Sequence, residues 1–176
     1  ANWGQGFKLP SFFALGHPFV GNANLVEETV TTSDTGFEYT RDLVSARLSV
    51  FNHKYKNLID YDGENNTNVN RPPVKTQGVE AELNWQLLQN LQWRVHGSYA
   101  DIDMPSSTTH LLGRPQSTYG SALNYTLNEA WTFNVNYLRV DERFAVSRYT
   151  GIGVEEILDA YNRIDANARW NINANI

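Results

Sequence analysis

The chain has 176 residues, 41% of them hydrophobic and 12% aromatic, and a formal net charge of −5. No uninterrupted apolar run reaches the roughly 18 residues of a transmembrane helix, and the absence of cysteine excludes disulfide scaffolds, thiolate metal sites and cysteine nucleophiles. The negative net charge and the dispersed lysines and arginines argue against a nucleic-acid partner.

In chain order, alternating apolar and polar residues predict an all-β chain of about eight antiparallel strands. We place them near residues 1–14, 28–40, 43–60, 74–86, 91–103, 114–127, 130–142 and 158–171. Short turns are predicted at 40–43, 87–89 and 128–130, and long loops at 17–27, 60–73, 104–113 and 142–157. Short turns at one end and long loops at the other are typical of a transmembrane β-barrel. A soluble β-sandwich does not require short and long connections to lie at opposite ends.

The predicted strands have one apolar and one polar face. In the fourth strand, alternate positions give two sets: Val79, Ala81, Leu83 and Trp85 against Gly78, Glu80, Glu82 and Asn84. Full charges cannot face a dry sandwich core, because an unpaired buried charge is too costly. They can face bulk water or the wet lumen of a wide barrel, so the faces alone leave the sheet open. In the barrel interpretation, the lumen wall consists of Arg47, Glu80, Glu82, Arg94, Arg163, Asp165 and Arg169.

Large aromatic residues recur on the apolar faces, close to the short turns or to the end of the last predicted strand. They are Trp85, Trp93, Tyr125, Trp131 and Trp170. Aromatic rings at one height form the girdle that lies at the headgroup level of a membrane barrel. The alternative is that they are ordinary core aromatics of a soluble β protein.

Motifs for catalysis are not found. The four histidines match no metal-binding spacing, adjacent carboxylates point to opposite faces of a strand, and no nucleophile elbow or phosphate loop occurs. We therefore expect no enzymatic activity, no cofactor and no resident metal. Residues 60–68 are rich in oxygen ligands for calcium but lack the ordered acidic spacing, so a solvated loop is the preferred interpretation. Because loops carry most ligand contacts, the candidate substrate-binding residues are Asp62, Asn66, Arg114 and Tyr149, with solvent-facing loop tips as the alternative.

Five stretches resemble, in order, the C-terminal half of the barrel of TonB-dependent receptors. They are Gly6–Pro10, the Gly-Asn-Ala-Asn-Leu-Val-Glu-Glu run from Gly21, Asn57–Asp62, the Lys-Thr-Gln-Gly-Val-Glu run from Lys75, and Arg114-Pro115. Leu9 replaces the family's usual alanine, and Ala23 and Glu27 each replace a proline. Within the family, Asn57–Asp62 and the loop lengths around it are most similar to cobalamin receptors.

The resemblance implies a plugged barrel of about 22 strands in a Gram-negative outer membrane. Residues 1–176 would form a partial barrel domain without the plug, the TonB-contacting segment and the last two strands. The implied function is energy-coupled uptake of cobalamin or a ferric siderophore, with outer-membrane lipid and the TonB complex as partners. The lumen wall would contact the plug or line a hydrated path, although a solvated face with balanced charges is the simpler interpretation. An eight-strand arc has two open edges, so we expect no transport by the segment alone.

Two other classes of function remain open at this point. A passive porin or a small self-contained barrel would conduct ions without TonB. A soluble β-sandwich binding module would stay folded and monomeric without detergent.

Overall fold

The computed structural model describes residues 1–104, 110–146 and 154–172. These residues form twelve strands and one short helix. In chain order the elements are β1 (Asn2–Lys8), α1 (Phe12–Gly16), β2 (Glu28–Arg41), β3 (Val44–Lys56), β4 (Ile59–Asp62), β5 (Thr67–Asn70), β6 (Val74–Leu88), β7 (Leu91–Asp103), β8 (Ser117–Thr126), β9 (Trp131–Val140), β10 (Arg143–Val146), β11 (Glu155–Leu158) and β12 (Tyr161–Trp170).

Eight of these strands form one sheet in the order β1-β2-β3-β6-β7-β8-β9-β12, and all neighbours in it are antiparallel. The remaining four form two separate hairpins, β4 with β5 and β10 with β11. Each strand of the large sheet therefore pairs with the next one along the chain, as in an up-and-down barrel. The predicted antiparallel sheet of about eight strands is confirmed.

The first predicted strand, 1–14, is too long. β1 ends at Lys8, and residues Phe12–Gly16 form α1. Pro10 has no backbone N–H to continue a strand ladder. The side chain of Ser11 caps the helix by accepting a hydrogen bond from the Ala14 N–H at 3.1 Å.

Two predicted long loops contain hairpins. The third predicted strand, 43–60, ends at Lys56, because Asn57 adopts a left-handed conformation with φ 54° and turns the chain. The β4–β5 hairpin follows, beginning at Ile59 and lying otherwise within the predicted loop 60–73. The β10–β11 hairpin lies largely within the predicted loop 142–157, so the last long strand begins at Tyr161 and not at 158.

The predicted sorting of connections is confirmed. Two residues join β2 to β3, two join β6 to β7, and four join β8 to β9. The connections after β1, β3, β7 and β9 are long and lie at the other end of the strands. We call these the short-turn end and the long-loop end. In outer-membrane barrels, the short turns face the periplasm and the long loops face the exterior.

The two faces of the sheet differ in chemistry. The face that carries Trp85, here the outer face, leaves large hydrophobic side chains exposed, including Phe37 at 66%, Leu48 at 49% and Ile164 at 71%. A soluble monomer rarely exposes a contiguous apolar surface of this extent. The opposite, inner face carries Arg47 and the other charged wall residues.

Few side chains are buried among the described residues. Ala14, Leu25 and Val74 form the small apolar core, with Asp62 and Arg71 as the buried polar residues, and all five lie at the long-loop end. No helix in the described part of the chain is long and apolar enough to cross a membrane.

Candidate ligand-entry site at the long-loop end

The predicted lumen wall lies on one face of the sheet. Arg47 is the cross-strand neighbour of both Glu38 and Glu82, and its guanidinium donates to Glu38 at 3.0 Å. Further along the sheet, Arg94 donates to Asn84 at 2.7 Å and Arg163 to Asp165 at 2.8 Å. These pairs are exposed, so each adds little stability. They form an exposed wall with charges of both signs.

Near the long-loop end the inner face becomes aromatic. Phe51, His53 and Tyr55 occupy successive inner positions of β3, and the Phe51 and His53 ring centroids are 5.0 Å apart. They line a concavity of about 640 Å³ whose other walls include Arg114 and Val74. A concavity with a mixed aromatic and charged lining is suited to a bulky amphipathic ligand.

Two polar contacts lie at the rim of this concavity. His53 Nε2 lies 3.1 Å from Asp34 Oδ1 on β2. Glu28 accepts a hydrogen bond from the Ile59 N–H at 3.2 Å and lies 3.8 Å from the Lys8 ammonium. Glu28 therefore connects β1 to the start of the β4–β5 hairpin.

Gly78 leaves space for the aromatic wall, the name we give to the inner-face residues Phe51, His53 and Tyr55. A Cβ at this position would lie 2.6 Å from Cζ of Phe51 and would overlap the carbonyl oxygen of Tyr99 on β7. The ring of Phe51 therefore lies over the glycine backbone. This is a physical reason for the glycine in the Lys-Thr-Gln-Gly-Val-Glu run.

The first long loop is attached to the β4–β5 hairpin by hydrogen bonds. The carbonyl of Val20 accepts from the backbone N–H of Asn68 at 2.9 Å and from its side-chain amide at 2.7 Å. The amide of Asn22 donates to the Asn68 carbonyl at 2.9 Å. Asn70 both donates to and accepts from the backbone of Val26. Asn22 of the Gly-Asn-Ala-Asn-Leu run, together with Asn68 and Asn70 of the hairpin, thus holds the two loops together.

Arg71 closes the base of the hairpin. Its side chain is only 8% exposed, donates to Asp60 at 3.1 Å and to the Tyr61 carbonyl at 3.0 Å. Its backbone N–H donates to the Leu58 carbonyl at 2.8 Å. Arg71, which follows β5, is thus linked to both Asp60 and Tyr61 of β4 and to Leu58 just before it.

Asp62 organises the tip of the hairpin. Its carboxylate accepts hydrogen bonds from the Asn65 amide at 2.7 Å and from the backbone N–H groups of Glu64 and Asn65. The side-chain hydrogen bond from Asn65 is the main cause that lowers the pKa of Asp62 below its ordinary value. Partial burial raises this pKa. The backbone hydrogen bonds and the charge of Arg71 lower it further. Asn66 has φ 52° and accepts a hydrogen bond from the Tyr61 hydroxyl.

The lowered pKa predicts an acid-sensitive hairpin. Stabilisation by the Asp62 carboxylate is complete above the unfolded pKa of about 3.9 and is lost as the pH falls through the lower folded value. We expect amide-exchange protection of residues 59–70, corrected for intrinsic rates, to decrease in that window.

The control for this prediction is a carboxylate at the same hairpin tip. The variant Asp62→Asn should lose the part of the acid sensitivity that depends on the Asp62 carboxylate, whereas Glu64→Gln, at an exposed position, should keep the wild-type profile. Equal pH profiles for the wild type and Asp62→Asn would contradict the assigned role.

The candidate substrate-binding residues have different positions. Asp62 and Asn66 belong to the hairpin tip and make intraloop hydrogen bonds. Arg114 is exposed and lines the concavity. Tyr149 lies outside the described residues. Direct contact of these residues with a ligand stays a prediction.

Sequence reasoning missed the aromatic wall and the buried arginine. Val50 and Phe51 are consecutive apolar residues that interrupt the alternation of β3, and this interruption was the available signal for the wall. Arg71 stands before two prolines in a polar stretch, where nothing local indicates burial.

The five predicted girdle residues share the outer face. Trp85 pairs directly with Trp93, and Trp131 with Trp170, whose rings stack at a centroid distance of 5.7 Å. Tyr125 lies directly opposite Phe133 on β9. Their contact with lipid headgroups stays a prediction. No three histidine, aspartate or glutamate side chains in the described ranges come together as a group that could hold a metal ion.

An apolar outer face, a charged inner face and sorted connections define a segment of a transmembrane antiparallel β-barrel. The profile of the family described as "TonB dependent receptor-like, beta-barrel" matches residues 1–176. The chain therefore belongs to the TonB-dependent receptor-like β-barrel family, whose members are transport receptors of the Gram-negative outer membrane.

Individual relatives agree with this assignment. The vitamin B12 transporter BtuB of Vibrio vulnificus (strain YJ016) is 25% identical over 97% of this chain, which spans 27% of that protein. Among solved structures, the copper transporter OprC superimposes with a TM-score of 0.79 at 18% identity over 98% of this chain and 29% of its own. The ferric yersiniabactin uptake receptor FyuA of Yersinia pestis gives 0.71 at 16% identity over 96% and 26%, respectively. The structural likenesses show the fold, and the chain spans little more than a quarter of these proteins.

Proposed function

We propose that this chain is the strand-rich wall of an outer-membrane receptor that takes up a bulky, scarce nutrient by TonB-dependent transport. The substrate class is a cobalamin or a ferric siderophore. The observation that carries the proposal is the inner-face concavity at the long-loop end, in a chain that belongs to the receptor family over its whole length.

The geometry supports entry of a ligand from the long-loop end. Phe51 and Tyr55 offer aromatic surface, and Arg114 offers a cation at the rim of the same concavity. The segment 57–71 lines this concavity through Leu58 and Ile59, and the loop at residues 17–27 is attached to that segment by hydrogen bonds. In the proposed receptor, a plug domain fills the lumen below, and energy from TonB rearranges it to release the substrate. The charged inner face is the wall that the plug or a hydrated path contacts.

Uptake by the whole receptor that contains this segment tests the proposal. We expect cells that express it to accumulate labelled cobalamin or a labelled ferric siderophore only when TonB is present. The matched control is the same strain without TonB, in which surface binding persists while accumulation stops. Ion conductance and uptake that persist without TonB would instead support a passive pore and contradict the proposal.

A further inference from the structure

A group of lysines lies on the outer face near the long-loop end. Lys54 on β3 pairs directly with Lys75 on β6, and Lys56 follows two residues later on β3. All three are exposed, and none takes part in an ion pair within the part of the chain that the structure describes. Like charges directly opposite each other destabilise a sheet. A counter-anion at this point would remove that cost.

Lys54 and Lys56 line an outer-face groove of about 590 Å³. Across the sheet, Lys54 lies in one row with Thr31 and Gln5, and Lys56 lies in the next row with Thr29 and Phe7. Asp103 is the neighbour of Lys75 on β7, but Lys54 and Lys56 have no carboxylate as a cross-strand neighbour. The groove thus combines two ammonium groups, two hydroxyls and an amide with the ring of Phe7, which is 74% exposed.

The groove lies at the level of lipid headgroups. The outer positions of β3 are apolar from Val44 to Val50 and polar from Asn52 onward. From Val44 to Asn52 inclusive β3 has nine residues. A tilted transmembrane strand crosses the hydrocarbon layer in about 9–11 residues. Lys54 and Lys56 therefore follow immediately after the hydrocarbon layer, on the side of the long loops.

We propose that this groove binds the phosphate-bearing headgroup of an outer-leaflet glycolipid. The phosphate accepts charge-assisted hydrogen bonds from Lys54 and Lys56, and the threonine hydroxyls and Gln5 bind the sugar. The acyl chains pack against the apolar outer face below. Phosphate supplies the anion that Lys54 and Lys56 lack among their cross-strand neighbours, and the acyl chains require the position next to the apolar band.

Titration of the detergent-purified whole receptor with lipid A, followed by native mass spectrometry, tests this proposal. Each interfacial lysine contributes about 1 kcal/mol to binding of an anionic headgroup. We therefore expect Lys54→Gln/Lys56→Gln to weaken lipid A binding about 30-fold and each single variant about five-fold. Lys54→Arg/Lys56→Arg should retain binding, because it keeps both charges.

The matched control is Arg41→Gln, which removes an exposed outer-face cation at the short-turn end and should leave binding unchanged. Heat-modifiable gel mobility verifies that each variant is folded. Equal affinity of the double glutamine variant and the wild type would overturn the proposal. So would equal affinity for lipid A and for glucosamine phosphate without acyl chains, since that result assigns the groove to a soluble anion.

Discussion

Replacement of Gly78 by alanine is expected to destabilise the whole receptor by at least 1–3 kcal/mol, the cost of about one extra methyl group in a filled space. The new Cβ would lie 2.6 Å from the Phe51 ring and would overlap the Tyr99 carbonyl on the neighbouring strand. The ring can rotate, but the carbonyl is fixed by the β6–β7 pairing. Urea unfolding in detergent, followed by heat-modifiable gel mobility, measures the loss.

The control for Gly78→Ala is Gly6→Ala on β1. A Cβ at Gly6 would lie 3.5 Å from Cγ1 of Val30, an ordinary van der Waals distance, so stability should change little. Adding Phe51→Ala to Gly78→Ala should recover only part of the loss, because the overlap with the Tyr99 carbonyl remains. A Gly78→Ala receptor as stable as the wild type would show that β6 and β7 are less tightly joined than described.

The strands could be predicted from sequence because each strand has one apolar face and one polar face. Residues such as Val79, Leu83 and Trp85 face outward on β6, and Glu80 and Glu82 face inward, so a period of two is visible without any tertiary information. The helix α1 was missed because Phe12 and Phe13 read as strand residues, while its five residues depend on a single cap by Ser11.

The hairpins and the site were harder to predict, for a different physical reason. β4 and β5 are short, and the bonds that attach them join partners more than forty residues apart, as between Asn68 and Val20. Such partners leave no local period in the sequence. Asp62 could be identified as a polar loop residue, but its role in the turn depends on Asn65 and on the buried Arg71.

Replacement of Arg71 by methionine is expected to open the β4–β5 hairpin. Methionine fills similar space but leaves the Asp60 carboxylate, 23% exposed, without its charged partner and the Tyr61 carbonyl without a donor. Breaking a buried pair from one side costs about 3–5 kcal/mol, and the partial exposure of Asp60 reduces that to about 2–3 kcal/mol. Amide-exchange protection of residues 59–70 in the whole receptor should decrease about 100-fold.

In the proposed receptor, the loop attachments connect this hairpin to substrate binding. Asn68 and Asn70 hold residues 20–26, so opening the hairpin releases the first long loop as well. Because Leu58 and Ile59 of the hairpin segment line the concavity, apparent substrate affinity should fall with the closed fraction of the hairpin. The maximal uptake rate at saturating substrate should change little, since the strands and the inner wall are unaffected.

Two further variants distinguish this explanation from a general loss of stability. Arg71→Met/Asp60→Asn removes both charges and should recover part of the protection, because no carboxylate is then left unpaired. Arg41→Met acts on a pair at 3.5 Å in which both side chains are largely exposed, so it should change neither protection nor uptake. Full amide-exchange protection of the hairpin and full substrate affinity in Arg71→Met would contradict the claim that Arg71 keeps the β4–β5 hairpin closed.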